Sequence, residues 1–162
     1  MILQKYNHTY FTTIQSWITD GDFLFQFAGP DWEFPLTQKQ LDNYIEQNHH
    51  KQLYIGLHAD NIPVAFGEII FQGHYSPRLG RLLVGGAENR AKGYGQKFIR
   101  CLINECSIVS NSKKIFLYVL EKNLLAINCY LKVGFEIDIT YKGHLTYDNI
   151  DHNVLLMYFN TK

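Results

Sequence analysis

Apolar positions recur along this chain at two periods, and the alternation between them outlines a mixed fold. Phe11, Ile14, Trp17 and Ile18 share one face of a predicted helix from Thr9 to about Thr19, which Asp20-Gly21-Asp22 ends. Phe23 to Pro35 is rich in aromatics and holds no clean period. Thr37-Gln38-Lys39-Gln40 is a capping box opening a second helix through Leu41, Tyr44 and Ile45. Strands are predicted over Gln52–His58 and Val64–Phe71, a hairpin around Asp60-Asn61, and then over Arg78–Val84. An amphipathic helix through Phe98, Ile99, Leu102 and Ile103 runs to about Val109. Lys114–Leu120 reads as a strand, and Leu124–Val133 as a helix stopped by Gly134. Phe135–Tyr141 and Val154–Phe159 read as closing strands. With a short strand over Leu3–Tyr6 the order is βααβββαβαββ, an α/β (α+β) chain. The helix between the fourth and fifth strands permits those two to run parallel.

One loop in this pattern carries chemistry. Arg90-Ala91-Lys92-Gly93-Tyr94-Gly95 reads R-x-x-G-x-G, between the apolar Leu82-Leu83-Val84 and the long helix. Glycines let the backbone approach a ligand, and the first N–H groups of a helix have no internal partner. The helix dipole points its positive end the same way, which suits a phosphate or pyrophosphate. Arg90 and Lys92 add formal positive charge. Neither G-x-x-x-x-G-K-[ST] nor G-x-G-x-x-G is present, so the loop is not a P-loop or a dinucleotide fingerprint.

A second motif follows about 30 residues on. Asn123 to Phe135 reads N-x6-Y-x3-G-F across a helix, with the strand Ile115–Val119 before it. Together the two motifs resemble the GNAT superfamily of acyl-CoA N-acyltransferases, from about Leu79 to Phe135. The segment Phe25–Trp32 is weakly similar to the ribosomal-protein acetyltransferase-like branch. The resemblance implies one domain over residues 1–162, with a mostly antiparallel sheet of about seven strands and helices on both faces. It also implies that the fourth and fifth strands splay into a slot for the pantetheine arm of acetyl-CoA. The cosubstrate would then be held by Leu82, Leu83 and Val84, by the loop residues Arg90, Ala91, Lys92, Gly93, Tyr94 and Gly95, and by Asn123. Asn123 equally suits a helix N-cap.

Acyl transfer from a thioester to an amine needs a neutral amine, a polarised carbonyl and a protonated leaving thiolate. Tyr130 falls on the family position whose phenol reaches the sulfur. The glutamate that many relatives carry before the loop is absent, because that stretch is Leu79-Gly80-Arg81. Glu68, alone between apolar neighbours on the preceding strand, is the nearest replacement as general base, unless it is a structural partner of Arg78 or Arg81. His74 and His144 are further proton acceptors in loop-like sequence. At pH 7 a lysine amine needs roughly 4.6 kcal/mol to deprotonate and an α-amine about 1.1. Without a strong base, weakly basic amines are the favoured acceptors.

Relatives receive the acceptor between their first helices and a late hairpin. Trp32, Glu33 and Phe34 populate the first segment and His144 the second, with Phe25, Phe27, Tyr141 and Tyr147 nearby. An aromatic wall with one carboxylate suits a small-molecule or peptide amine. A non-catalytic acyl-CoA-binding or sensing module on the same fold is the alternative.

Composition narrows the partners. The formal net charge is zero and hydrophobic content is 46%, so no bulk attraction to nucleic acid or membrane is expected. Cys101, Cys106 and Cys129 form no C-x-x-C and read as reduced thiols of a cytoplasmic protein, monomer or homodimer, with no metal site.

Overall fold

Eight strands form one sheet in this computed structural model, which describes residues 1–71 and 76–161. They are β1 (Ile2–Lys5), β2 (Lys51–Leu57), β3 (Pro63–Ile70), β4 (Arg78–Val84), β5 (Lys114–Leu120), β6 (Glu136–Ile137), β7 (Gly143–Tyr147) and β8 (Ile150–Asn160). The helices are α1 (Phe11–Trp17), α2 (Gly21–Ala28), α3 (Gln38–Gln47), α4 (Tyr94–Val109) and α5 (Leu124–Val133). Spatially the strands run β1-β2-β3-β4-β5-β8-β6, and β7 pairs with β8. Among the described residues only β4 with β5 is parallel. The fold is the expected mixed, mostly antiparallel α/β sheet.

Three elements depart from the sequence expectation, α2, β6 and β7, and the last brings the sheet to eight strands where about seven were expected. Asp20 does not merely end α1. Its extended backbone and its carboxylate, which accepts from Phe23 N–H at 2.8 Å, cap a further helix, α2. Aromatics on both sides of α2 hide its period, because Leu24 faces the core while Phe25 faces Tyr147 and His152. The strand expected over Phe135–Tyr141 shrinks to Glu136–Ile137. There the Asp138 side chain accepts from Thr140 N–H at 2.9 Å, an Asx turn that diverts the chain. Strand pairing resumes as the β7–β8 hairpin, whose Asp148 and Asn149 both have positive φ (50° and 60°), as a type I′ turn requires.

Alternation along the strands divides the apolar residues between the faces. Ala65, Ile69, Leu79, Ile115, Leu117 and Val119 pack with Phe98 and Leu102 of α4 and Ile127 and Val133 of α5. Leu53, Ile55, Phe66 and Leu83 pack with Ile14 of α1, Leu24 of α2 and Leu41 of α3. The sheet is thus sandwiched between α1–α3 and α4–α5 over β1–β4. No helix among the described residues is long and apolar enough to cross a membrane.

Two residues of α4 test this division. Leu102 is fully buried, whereas Ile108 is 80% exposed. Leu102→Ala is expected to cost about 2–5 kcal/mol through lost burial and a residual cavity. Ile108→Ala should stay within about 0.5 kcal/mol. Urea unfolding of both variants checks the contrast.

Candidate active site

β4 and β5 pair only at Arg78–Phe116 and Leu79–Leu117, and then separate. The separation begins beside an irregularity on the other edge of β4. Glu68 pairs with Gly80 but Phe66 with Leu83, so β4 carries an extra residue there. Arg81 lies in this bulge with φ of 49°. A bulge bends its strand and increases its twist, which turns the following residues of β4 away from β5. Beyond Leu79 the facing main-chain groups of both strands therefore lack cross-strand partners.

A cavity of about 290 Å³ fills the divergence. Leu79 to Leu82 and Tyr118 to Leu120 form its two walls, and Asn123 and Tyr130 come from α5. The segment Phe25–Asp31 and Leu145 of β7 cover it. Phe25 of that cover stacks on Tyr147 of β7, with ring centroids 4.3 Å apart, and so joins α2 to β7. A second cavity of about 380 Å³ adjoins it, lined by Asp22, Lys122, Asp148 and His152 among others.

The seven-residue spacing of Asn123 and Tyr130 is two helical turns, so both meet the cavity. Asn123 caps α5, its side-chain oxygen accepting from Ala126 N–H at 3.2 Å. Tyr130 is buried, and burial, with a smaller push from Cys129, holds its phenol well above the ordinary tyrosine pKa. It therefore stays protonated at neutral pH and can donate. At the open end, Ala91 (φ 60°) and Gly93 (φ 77°) both occupy the left-handed region just before α4. Such a loop turns successive N–H groups toward one point, an anion nest. No side chain caps α4 at Gly93, so its first N–H groups have no side-chain partner. At Gly95 a Cβ would stand 3.2 Å from Cys129 Sγ, so glycine permits α4 to approach α5.

Glu68 and Arg81 are both buried. Arg81 Nη1 donates to Glu68 Oε1 and, at 2.6 Å, to the Tyr44 hydroxyl, which in turn donates to Glu68 Oε2 at 2.7 Å. Arg81 Nη2 pairs with Asp31, and its guanidinium lies over the rings of Tyr44 (4.1 Å) and Trp32 (4.6 Å). Glu68, expected as general base or as a structural partner of Arg78 or Arg81, sits inside this cluster. Both its oxygens accept hydrogen bonds, one from Arg81 and one from Tyr44. Its structural pairing with Arg81 is the arrangement found.

The acceptor-side expectations fare unevenly. Trp32 is buried beneath Arg81, whereas Glu33 and Phe34 are exposed, and none lines the cavity. His144 is exposed on β7, because alternation gives the inward side to Leu145. His74 lies outside the described residues. Lining residues missed from the sequence include Gln26, Asp31, Lys51 and Arg78. Arg78 and Arg81 in an otherwise apolar strand were a readable signal, but their partners depend on the bulge.

Comparison with known proteins agrees with this geometry. A model of the acetyltransferase (GNAT) family matches residues 21–135. A spermidine N-acetyltransferase from Vibrio cholerae, solved with CoA and spermine, superposes with TM-score 0.77 at 18% identity, covering 98% of this chain and 94% of that one. A domain from Methanocaldococcus jannaschii superposes with TM-score 0.74 at 17% identity, covering 99% and 97%.

The Arg81 cluster yields a stability test. Arg81→Met is expected to destabilise by about 3–5 kcal/mol, since it strands the Glu68 carboxylate in a buried site. The double variant Arg81→Met/Glu68→Met should recover most of that loss. Denaturant unfolding of the two variants measures both, and a double variant no more stable than the single would contradict the pairing.

Proposed function

The chain belongs to the acetyltransferase (GNAT) family, and we propose that residues 1–162 act as one domain moving an acetyl group from acetyl-CoA to a primary amine by direct attack. The observation that carries this reading is the parting of β4 from β5 with Tyr130 on its wall. The residues present fit the cosubstrate. The nest at Ala91–Gly93 suits a pyrophosphate, and the unpaired edge of β4 at Leu82–Val84 suits an extended arm bearing amides. Bound there, acetyl-CoA supplies the activated acetyl group and a thiol leaving group.

The protein's own part is positioning and proton handling. Main-chain N–H groups of β4 near the bulge face the gap and polarise a carbonyl placed there. Tyr130 donates its phenolic proton at the departing sulfur and regains, through solvent, the proton that the amine sheds as the amide forms, so it ends as the neutral phenol that its raised pKa favours. Asn123 fixes the start of α5 and so the position of Tyr130. Arg90 and Lys92 are exposed beside the nest and add attraction for an anion. No lone buried carboxylate among the described residues is free to take the amine proton, so the acceptor reacts through its neutral fraction. An amine of modest basicity pays little for that. The likeness to a spermidine N-acetyltransferase supports a small amine as acceptor.

Tyr130→Phe should lower kcat by about 10²–10⁴-fold and leave CoA affinity unchanged. Because the Tyr130 pKa is raised in the folded protein, kcat should show no descending limb at the ordinary phenol value near ~10. Both are read from thiol release across an amine panel, with CoA binding measured separately. Unchanged turnover in the variant removes Tyr130 from the mechanism.

A further inference from the structure

The charges around the main cavity do not suit a polycation. Three cationic side chains, Lys51, Arg78 and Arg81, line it against two carboxylates, Glu68 and Asp31. Both carboxylates are engaged by Arg81. Lys51 and Arg78 are left with no acid within 4.0 Å among the described residues. The undescribed stretch 72–75 reads Gln-Gly-His-Tyr and brings no acid of its own.

Each of the two cations rests instead on an aromatic ring. Lys51 Nζ is 4.5 Å from the Tyr44 centroid, and the Arg78 guanidinium is 5.2 Å from that of Tyr118. Arg78 Nε is buried with no hydrogen-bond partner. Burial is also the largest influence on Lys51, holding its pKa below the ordinary lysine value. Both cations are half-buried, and Lys51 feels the carboxylates of Glu68 and Asp31 only through space, so an anion that contacts both would relieve them.

Their placement is that of a clamp. Lys51 pairs in register with Ile70, and Ile70 with Arg78, so both cations project from the same face of the sheet, on β2 and β4 to either side of β3. Two strand spacings put their backbones roughly 10 Å apart, and both side chains are long enough to meet one group in the cavity that both line. Arg78 stands where β4 and β5 still pair, at the closed end of the gap that Tyr130 also lines.

We infer that the acceptor carries an anionic oxygen group, a carboxylate or a phosphate, held between Lys51 and Arg78 while its amine faces the gap. This rests on the transferase reading and adds the substrate class. An arginine can grip either oxyanion with two N–H groups, and a lysine meets it as a point charge. An α-amino acid or peptide with its own carboxylate fits, as does an aminoalkyl phosphate. A polyamine brings further cations to a wall where cations already outnumber carboxylates.

The test uses the full chain with acetyl-CoA and matched acceptors: α-amino acids against their carboxamides, phosphoethanolamine against ethanolamine, and spermidine. The anionic member of at least one set is expected to have kcat/KM at least tenfold above its neutral match and above spermidine. Which set responds distinguishes carboxylate from phosphate. Lys51→Gln and Arg78→Gln should each erode the preference about tenfold, mainly through KM, and Arg78→Lys should retain part of it. Preference for spermidine or the neutral amines, or a preference intact in both glutamine variants, overturns the inference. Thermal shift with CoA present separates it from the transferase reading. Stabilisation by the anionic members alone, lost in the variants, with no acetyl transfer, upholds the clamp and sinks the transferase. No selective stabilisation and no selective transfer sinks the clamp.

Discussion

The Arg81 guanidinium, buried among Glu68, Tyr44 and Asp31, anchors the bulge at which β4 leaves β5. Neither the pair nor the bulge is an obvious source of stability. A non-glycine residue at φ 49° costs about 1–3 kcal/mol, and a buried ion pair often only breaks even against apolar side chains of similar size. What the cluster supplies is shape. It commits the extra residue of β4 to one side chain with one set of partners, so the strand bends at a fixed point. The cavity, the unpaired strand edges and the approach of Tyr130 all follow from that bend.

The elements expected to hold the cosubstrate were legible because they are local. The loop before α4, the strand β5 and the helix α5 follow one another, and each announces itself by period, glycine or cap. The spacing from Asn123 to Tyr130 could be converted directly into a shared helix face. The V between β4 and β5 was expected from resemblance, and its cause was not. An extra residue in a strand has no mark in the sequence until its partner's register is known, and that register is set by β3. The same blindness affected Glu68. Its isolation among apolar neighbours was visible, but Arg81 reaches it only because the bulge presents that side chain on its face.

The acceptor side was illegible for a different reason. Its cover joins α2 to β7 through Phe25 and Tyr147, segments from opposite ends of the chain. α2 was missed because a helix wedged between core and cover is apolar on more than one side. β7 was missed because its turn uses Asp148-Asn149 in place of a glycine pair. With both elements missing, the aromatics of Phe23–Pro35 could be assigned to the site only by neighbourhood. Trp32, Glu33 and Phe34 were chosen where Gln26 and Asp31 line the cavity.

Unpaired strand edges invite another chain to add a strand, and the parting of β4 from β5 creates two of them. Both lie inside the sheet, between a covering segment on one face and α4 and α5 on the other. The sheet's outer strands are also brief: β1 has four residues, β7 five and β6 only two. The protein thus keeps two unpaired strand edges where a slender ligand can reach them and a neighbouring molecule cannot. Resistance to edge-to-edge aggregation and the capacity to bind an extended arm come from the same placement.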